Sequence, residues 1–213
     1  MSPAVAPVAA IVVAAALVVS GISPYDRGTW LLEVAPVLVA LPALAATYRR
    51  FPLSDLLYVL IAVHALVLVL GGAYTYARVP LGAWIQDWLH LSRNPYDRIG
   101  HFMQGLVPSL IAREILLRGA YVRGRRMAAF LSICVALAVS AAYELLEWSV
   151  ALALGKGAVD FLGTQGDPWD TQWDMFMALV GALVAMAGFA RWHDASMRAR
   201  RHGRAALEGA AGA

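Results

Sequence analysis

Six stretches of mostly apolar residues constrain the fold of this chain more than any motif it contains. A helix needs about 20 such residues to cross the hydrocarbon core of a bilayer. Of the 213 residues, 61% are hydrophobic, and the mean hydropathy is +0.64, which is more apolar surface than a soluble core of this length buries. The stretches lie near residues 7–20, 30–47, 56–71, 99–117, 128–148 and 175–192.

We therefore predict an all-α, polytopic membrane bundle with about six transmembrane helices. Residues 1–197 form one domain in this prediction, and the basic residues 198–213 form a disordered tail. The first stretch has the length of the apolar part of a secretory signal. No basic residues precede it, however, so we predict that it is a retained helix.

Basic residues cluster in alternate connections between the predicted spans. Arg49 and Arg50, the 113–126 segment and the tail from Arg191 together hold 12 of the 17 basic residues. By the positive-inside rule these segments and both termini are cytoplasmic. Attraction to anionic lipid headgroups explains their charge, so no nucleic-acid partner is required. The outer side then holds most of the acids: Asp26, Glu33, Asp87, Asp97, Glu144, Glu147, Asp160, Asp167, Asp170 and Asp174.

The connection at residues 74–97 has the pattern of a helix that lies along the membrane surface. Its apolar residues recur at helical spacing, opposite polar ones. They are Leu81, Trp84, Ile85, Trp88 and Leu91. We predict a short interfacial helix in this connection, in contact with membrane lipids.

Polar residues at helical spacing occupy the outer ends of the last three predicted spans. Each span carries a pair that is three or four residues apart and therefore lies on one helix face. The pairs are Asp97 and His101, Glu144 and Glu147, and Asp170 and Asp174. An ionised side chain costs roughly 2.5–3.5 kcal/mol at the centre of a membrane helix, so such residues pair with one another or have a function.

Three interpretations of these six residues are open. All six could hold a divalent metal, and the first two pairs could act as catalytic acids or bases, since oxygen ligands with one nitrogen suit Mg, Mn, Zn or Fe. Alternatively, Arg93 or Arg98 neutralises part of a structural polar cluster. In the third interpretation the carboxylates conduct ions or protons. The single cysteine, Cys134, excludes a Cys-based metal cluster.

A tetrapeptide occurs twice in the chain. Pro24-Tyr25-Asp26-Arg27 precedes the second span, and the same four residues recur at 95–98 before the fourth. A polar residue, Glu33 or Gln104, follows seven positions after each Asp. The repeat predicts either an internal duplication or simple capping of two helix N-termini.

Four segments together resemble the YjdF family of bacterial inner-membrane proteins. They are YTYA at 74–77, RNPYDRIGHF at 93–102, YELLEW at 143–148 and the stretch 162–175. The resemblance covers roughly residues 20–190 and implies a location in the bacterial inner membrane, without an assigned activity.

A more distant similarity points to the VanZ-like membrane proteins associated with glycopeptide resistance. It rests on Asp97-Arg98-x-x-His101-Phe102, a Glu in the next span, and Asp174 with Gly181 seven residues later. Ala178 stands where that pattern has Asn, which weakens any transfer of function.

The outer polar residues lead us to expect a metal-dependent hydrolase or transferase of the cell envelope, with a lipid or lipid-linked phosphate as substrate. A proton- or ion-coupled transporter is one alternative. A non-catalytic assembly or lipid-binding protein is the other.

Overall fold

The computed structural model describes residues 4–154 and 163–211, so Asp160, one of the acids assigned to the outer side, lies outside the described residues. Eight α-helices make up most of the described chain, and these residues contain no strand. The helices are α1 (Val5–Ile22), α2 (Arg27–Thr47), α3 (Asp55–Tyr74), α4 (Pro80–Leu89), α5 (Tyr96–Arg118), α6 (Arg125–Leu154), α7 (Asp170–Val184) and α8 (Ala190–Ala211). A 3₁₀ turn, Tyr76–Arg78, precedes α4, and a π turn, Ala185–Phe189, joins α7 to α8.

Five helical segments of the described chain are long and apolar enough to cross a membrane. They are α1, α2, α3, α6 and the joined helix Asp170–Arg200 formed by α7 and α8. The 23 residues of α5 also span about 35 Å, but α5 carries charged residues at both ends. The predicted all-α membrane bundle is therefore confirmed, and about six spans agrees with five apolar helices plus the more polar α5.

Helix α5 is the centre of the bundle. It packs against α3, α6 and α7, so protein rather than lipid surrounds its polar residues. Leu106 and Leu110 of α5 pack with Leu57 of α3 in one apolar core, and Val13 and Val34 join α1 to α2 in a second. A helix with charged residues is tolerated at this position because its polar groups find partners on neighbouring helices.

Two glycines allow α5 and α7 to cross at very close range. A Cβ at Gly105 would overlap the backbone of Ala178, and a Cβ at Gly181 would overlap the backbone of Phe102. Small residues at such crossings let two membrane helices approach until their backbones touch. The crossing brings the N-terminal turns of α5 and α7 together.

We expect Gly105→Ala to lower the free energy of unfolding by roughly 1–3 kcal/mol, the usual consequence of overpacking. Gly188→Ala in the π turn is the matched control, because a Cβ there meets nothing within 4 Å. Thermal unfolding of both purified variants in the same detergent measures the difference. Equal melting temperatures would contradict the close crossing.

Helix α4 lies where the sequence predicts a short interfacial helix. Pro80 occupies its first turn, and His90 ends it in the left-handed region at φ 51°. Trp84 and Trp88, one turn apart, are both more than 70% exposed. Exposed tryptophans on one face are typical of a helix at the level of the lipid headgroups.

The two copies of the repeated tetrapeptide have different local roles. Asp26 caps α2, because its Oδ1 accepts a hydrogen bond from the backbone N–H of Thr29 at 2.7 Å. Asp97 makes no such bond and instead faces Arg93 and His101. Capping therefore explains the first copy, whereas the second copy belongs to the site described below.

We expect Asp26→Ala to lower the free energy of unfolding by about 1 kcal/mol at neutral pH, as loss of an N-cap usually does. The hydrogen bonds from Thr29 hold the pKa of the Asp26 carboxyl below its usual value. Its stabilisation is therefore complete above the carboxyl's ordinary pKa and is lost as the pH falls through the lowered value. Melting temperatures of wild type and variant should differ most at pH 7 and converge in acid. Asp87→Ala, at an exposed position on α4, is the control, and an equal deficit there would contradict the cap.

The last helix extends beyond the predicted membrane domain. Helix α8 continues to Ala211 and so runs through most of the residues 198–213 that the sequence predicts as a disordered tail. Ala and Arg, which dominate this segment, are among the best helix-forming residues. The domain boundary at residue 197 stays a prediction.

Candidate functional site

Five of the six predicted site residues come together at one end of the bundle, which we call the acidic end. Asp97 and His101 lie in the first two turns of α5, Glu144 lies on α6, and Asp170 and Asp174 begin α7. All five residues are at most 8% exposed. We call these five residues the acidic cluster.

Asp97, His101 and Asp174 offer ligand atoms that all lie within 4.8 Å of one another. Nε2 of His101 is 3.6 Å from Oδ1 of Asp97 and 3.9 Å from Oδ2 of Asp174. Two carboxylates and one imidazole are a suitable donor set for a divalent cation such as Mg, Mn, Zn or Fe. We call these three residues the triad.

Gln104 orients the imidazole ring of His101. Its Oε1 lies 3.1 Å from Nδ1, so Nδ1 carries a proton when the amide oxygen accepts. Nε2 can then present a lone pair to the carboxylates of Asp97 and Asp174. A cation bound among these groups, or a second proton on the ring, relieves the repulsion between them.

Two carboxylate oxygens of the acidic cluster are buried without a hydrogen-bond partner among the described residues. They are Oδ1 of Asp174 and Oε1 of Glu144. The Glu144 oxygen is 3.7 Å from Nδ1 of His101, which is too long for a hydrogen bond. Buried acceptors are nearly always satisfied in folded proteins, so we expect a water, a cation or a ligand group beside them.

Arg93 forms an ion pair with Asp170, one of the predicted metal ligands. Its guanidinium pairs directly with Asp170 and donates to the carbonyl of Gly163 at 3.1 Å. It also lies 3.6 Å from Asp97 and 3.5 Å from Asp167. The structure therefore places Asp170 beside the triad rather than within it.

Glu147, the sixth predicted residue, lies one turn from Glu144 on α6 and faces a cavity. Three further residues around this cavity, Glu33, Tyr76 and Tyr143, were not among the predicted site residues. Glu33 is buried and accepts a hydrogen bond from Oη of Tyr143 at 3.3 Å. A carboxylate within an apolar span was the signal that could have found Glu33.

Tyr76 lies outside the spans, in the 3₁₀ turn, and is 5% exposed. Its burial, reinforced by the nearby Glu33 carboxylate, raises the pKa of the phenol well above its usual value. Tyr76 therefore remains a hydrogen-bond donor throughout the physiological pH range.

A cavity of about 580 Å³ adjoins the acidic end. The polar side chains of its wall are those of Glu33, Tyr48, Tyr58, His64, Tyr76, Asp97, His101, Gln104, Tyr143 and Glu147. The rest of the wall is mainly small and apolar residues of α1, α2, α3 and α5. The wall follows α2 from Glu33 to Tyr48, which is about 22 Å along the helix.

The cavity is partly open to its surroundings rather than fully enclosed. An empty space of this size would leave the side chains of its wall without packing contacts on one side. The cavity is therefore expected to contain hydrocarbon or water in the membrane.

A second buried polar network lies at the opposite end of α5, which we call the basic end. Glu114 accepts hydrogen bonds from the backbone N–H and the hydroxyl of Ser54 at 2.9 and 2.6 Å. It also pairs with Arg118 and lies 2.8 Å from Nε2 of His193. Arg113 is 3.2 Å from Nδ1 of the same ring. Both oxygens of Glu114 are thus satisfied, in contrast to the acidic cluster.

Comparison with known proteins agrees with the resemblance found in the sequence. Residues 5–195 match the family described as "Predicted membrane protein (DUF2238)". The chain is similar to "Inner membrane protein YjdF" of Escherichia coli (strain K12), with 58% identity over 198 residues that cover 93% of this chain and 95% of the relative. No solved structure matches it. The predicted YjdF resemblance is confirmed, and the VanZ-like similarity stays a prediction. This chain is an integral membrane protein and belongs to the DUF2238 family.

Proposed function

We propose that this protein is a metal-dependent enzyme of the cell envelope that hydrolyses or transfers a lipid-linked phosphate. The observation that carries the proposal is the triad of Asp97, His101 and Asp174 at the polar end of an apolar cavity. A cation site suits a phosphate group, and an apolar cavity suits the hydrocarbon part of a lipid. The predicted orientation puts the acidic end on the periplasmic side of the inner membrane.

In this proposal the triad holds one divalent cation, which would polarise a phosphate oxygen and activate a water molecule. Asp170 keeps Arg93 in place, so that the positive charge of the guanidinium lies next to the triad. The buried, unpartnered Oδ1 of Asp174 offers one further donor atom for the cation or its water.

Glu144 is the residue best placed to act as general base. Its Oε1 is buried, lacks a partner among the described residues and lies beside His101. It would accept a proton from water as the water oxygen bonds to phosphorus. The bond from phosphorus to the lipid alcohol breaks, and the alcohol oxygen then takes up a proton.

Two arginines flank the triad and suit the recognition of phosphate. Nε of Arg93 and Nε of Arg98 are each buried without a hydrogen-bond partner in the described part of the chain. Arg98 is held by Asp167 at 3.0 Å and lies over the Trp173 ring. Each guanidinium thus keeps a donor available, and arginine donors match the geometry of phosphate oxygens.

The proposal is tested first by metal content. Wild type purified without chelator and resupplied with Mg, Mn, Zn or Fe should retain about one ion per chain, measured by elemental mass spectrometry. Asp174→Asn should lose that ion. Asp87→Asn, which removes an exposed carboxylate outside the cluster, should keep it.

Catalysis is then tested with phosphatidic acid and a polyprenyl diphosphate in detergent micelles. Metal-dependent phosphate release that Glu144→Gln abolishes, with metal content unchanged, would support the assigned base. Absence of bound metal in the resupplied wild type would overturn the proposal. So would phosphate release that Asp174→Asn leaves unaltered.

Proton-coupled transport is the second candidate function, and His64 favours it. The side chain lines the cavity shared by Glu33 and Glu147, and its Nε2 is buried without a partner among the described residues. A row of titratable groups along a membrane cavity is a feature of proton relays. A carrier of this kind would dissipate a pH gradient across the membrane of proteoliposomes. His64→Phe would stop this proton flux. The flux would be the same with and without bound metal.

A further inference from the structure

We infer that the cavity binds one extended hydrocarbon chain longer than a single leaflet, with the polar end of that lipid at the triad. This inference extends the proposed function, because it names the apolar part of the substrate. It rests on the length of the cavity, the residues of its wall and the difference between its two ends.

The cavity is deeper than one leaflet of the membrane. Its wall runs from Glu33 to Tyr48 on α2 and from Asp97 to Ile111 on α5, which is about 21–22 Å along each helix. One leaflet contributes about 15 Å of hydrocarbon, half of the bilayer core. A chain that fills this cavity from the acidic end therefore passes the bilayer midplane.

Small apolar side chains on three helices form part of the cavity wall. They are Ala9 and Ala10 of α1, Ala40 of α2, and Ala62 and Ala65 of α3. None of these side chains carries a polar atom, so these positions give no hydrogen bond to a ligand. His64 lies among them on α3, and its Nε2 has no partner among the described residues. The chemistry that fits is a chain that is apolar along most of its length.

The side chains at the two ends of the cavity indicate how the bound hydrocarbon chain is oriented. The acidic end offers carboxylates, an imidazole and two phenols. At the other end Tyr48 and Tyr58 lie with ring centroids 6.0 Å apart, and the guanidinium of Arg200 is within 6.0 Å of both rings. Aromatic rings with a cation are typical of the membrane interface, so this end is where the apolar tail stops.

Two adjacent positions on α3 provide a matched test. Ala62 lines the cavity, whereas Val63 does not and is 44% exposed. Both Ala62→Trp and Val63→Trp add an indole, but only the first fills the cavity. Lipids that copurify in mild detergent are counted by mass spectrometry. We expect Ala62→Trp to hold about 10- to 100-fold less long-chain lipid than wild type, as overpacking of an apolar site implies, and Val63→Trp to match wild type. Equal lipid content in the two variants would overturn the inference.

Delipidated wild type supplies a measurement that does not depend on a variant folding. It is titrated with three deuterated probes: a long-chain fatty alcohol, a polyprenol of the same extended length, and a phosphatidylglycerol with two ordinary chains. Saturable binding of one fatty alcohol or one polyprenol per protein, tighter than phosphatidylglycerol, supports the inference and identifies the source of the chain. Equal binding of all three, or no saturable binding, overturns it.

The inference and the proposed function can fail separately. Asp174 belongs to the triad but not to the cavity wall, so Asp174→Asn should lose metal and keep the chain. A wild type that holds the chain but no metal would support the inference and overturn the proposed function. A wild type that binds metal but no hydrocarbon chain would overturn the inference and leave the proposed function standing.

Discussion

Replacing Glu114 by alanine is expected to lower the free energy of unfolding by about 3–5 kcal/mol, the penalty for breaking a buried ion pair by removing one partner. The Glu114 carboxylate is 0% exposed and accepts two hydrogen bonds from Ser54. It also neutralises Arg118 and contacts His193. Alanine would remove the acceptor of Ser54, and the loop before α3 would lose two hydrogen bonds to α5 while keeping the one from Arg118 to the carbonyl of Pro52.

Unfolding by SDS in mixed micelles measures this loss. Asp55→Ala is the control, because Asp55 also pairs with an arginine across helices, Arg200 at 3.1 Å, but is partly exposed. Exposed pairs contribute about 0–1 kcal/mol. If both variants lost the same stability, the network at the basic end would be no more than a surface ion pair.

Replacing Arg93 by methionine is expected to have the second largest effect, also about 3–5 kcal/mol. Methionine keeps much of the apolar stem and removes the guanidinium that pairs with Asp170 and approaches Asp97 and Asp167. Asp97 and Asp170 would then lack this guanidinium, whereas Asp167 would keep its ion pair with Arg98. A divalent cation should therefore raise the melting temperature of this variant more than that of wild type.

Arg98→Met is the matched control for Arg93→Met. Arg98 pairs with Asp167 alone among the described carboxylates, and its side chain is 28% exposed. We expect it to contribute up to about 1 kcal/mol. A loss as large as that of Arg93→Met would mean that Arg93 is not the main partner of the acidic cluster.

Features that depend on the spacing of nearby residues could be predicted from the sequence. Apolar stretches of about 20 residues predict the membrane helices because lipid leaves backbone groups no partner outside a helix. Asp97 and His101 share a face because they are four positions apart in a helix. The same rule predicts α4 from its apolar periodicity.

The partners of these residues could not be predicted from spacing. Arg93 and Asp170 are 77 positions apart, and Glu114 and His193 are 79 apart. No local pattern connects residues so distant in sequence, because their contact depends on how α5 and the segment before it pack against α7 and α8. The cavity could not be predicted from the sequence for the same reason, because it is the space that alanines on separate helices leave between them.

The π turn at Ala185–Phe189 determines which way the two ends of one long helix face. Asp174 and His193 are 19 positions apart, which in a regular helix is about 5.3 turns and would place them roughly a quarter-turn out of line. A π turn accommodates one additional residue, so the remaining 18 positions make about five whole turns. Both residues consequently point at α5, Asp174 towards His101 and His193 towards Glu114. One inserted residue therefore keeps two distant polar sites in phase along a single helix, so that both face α5.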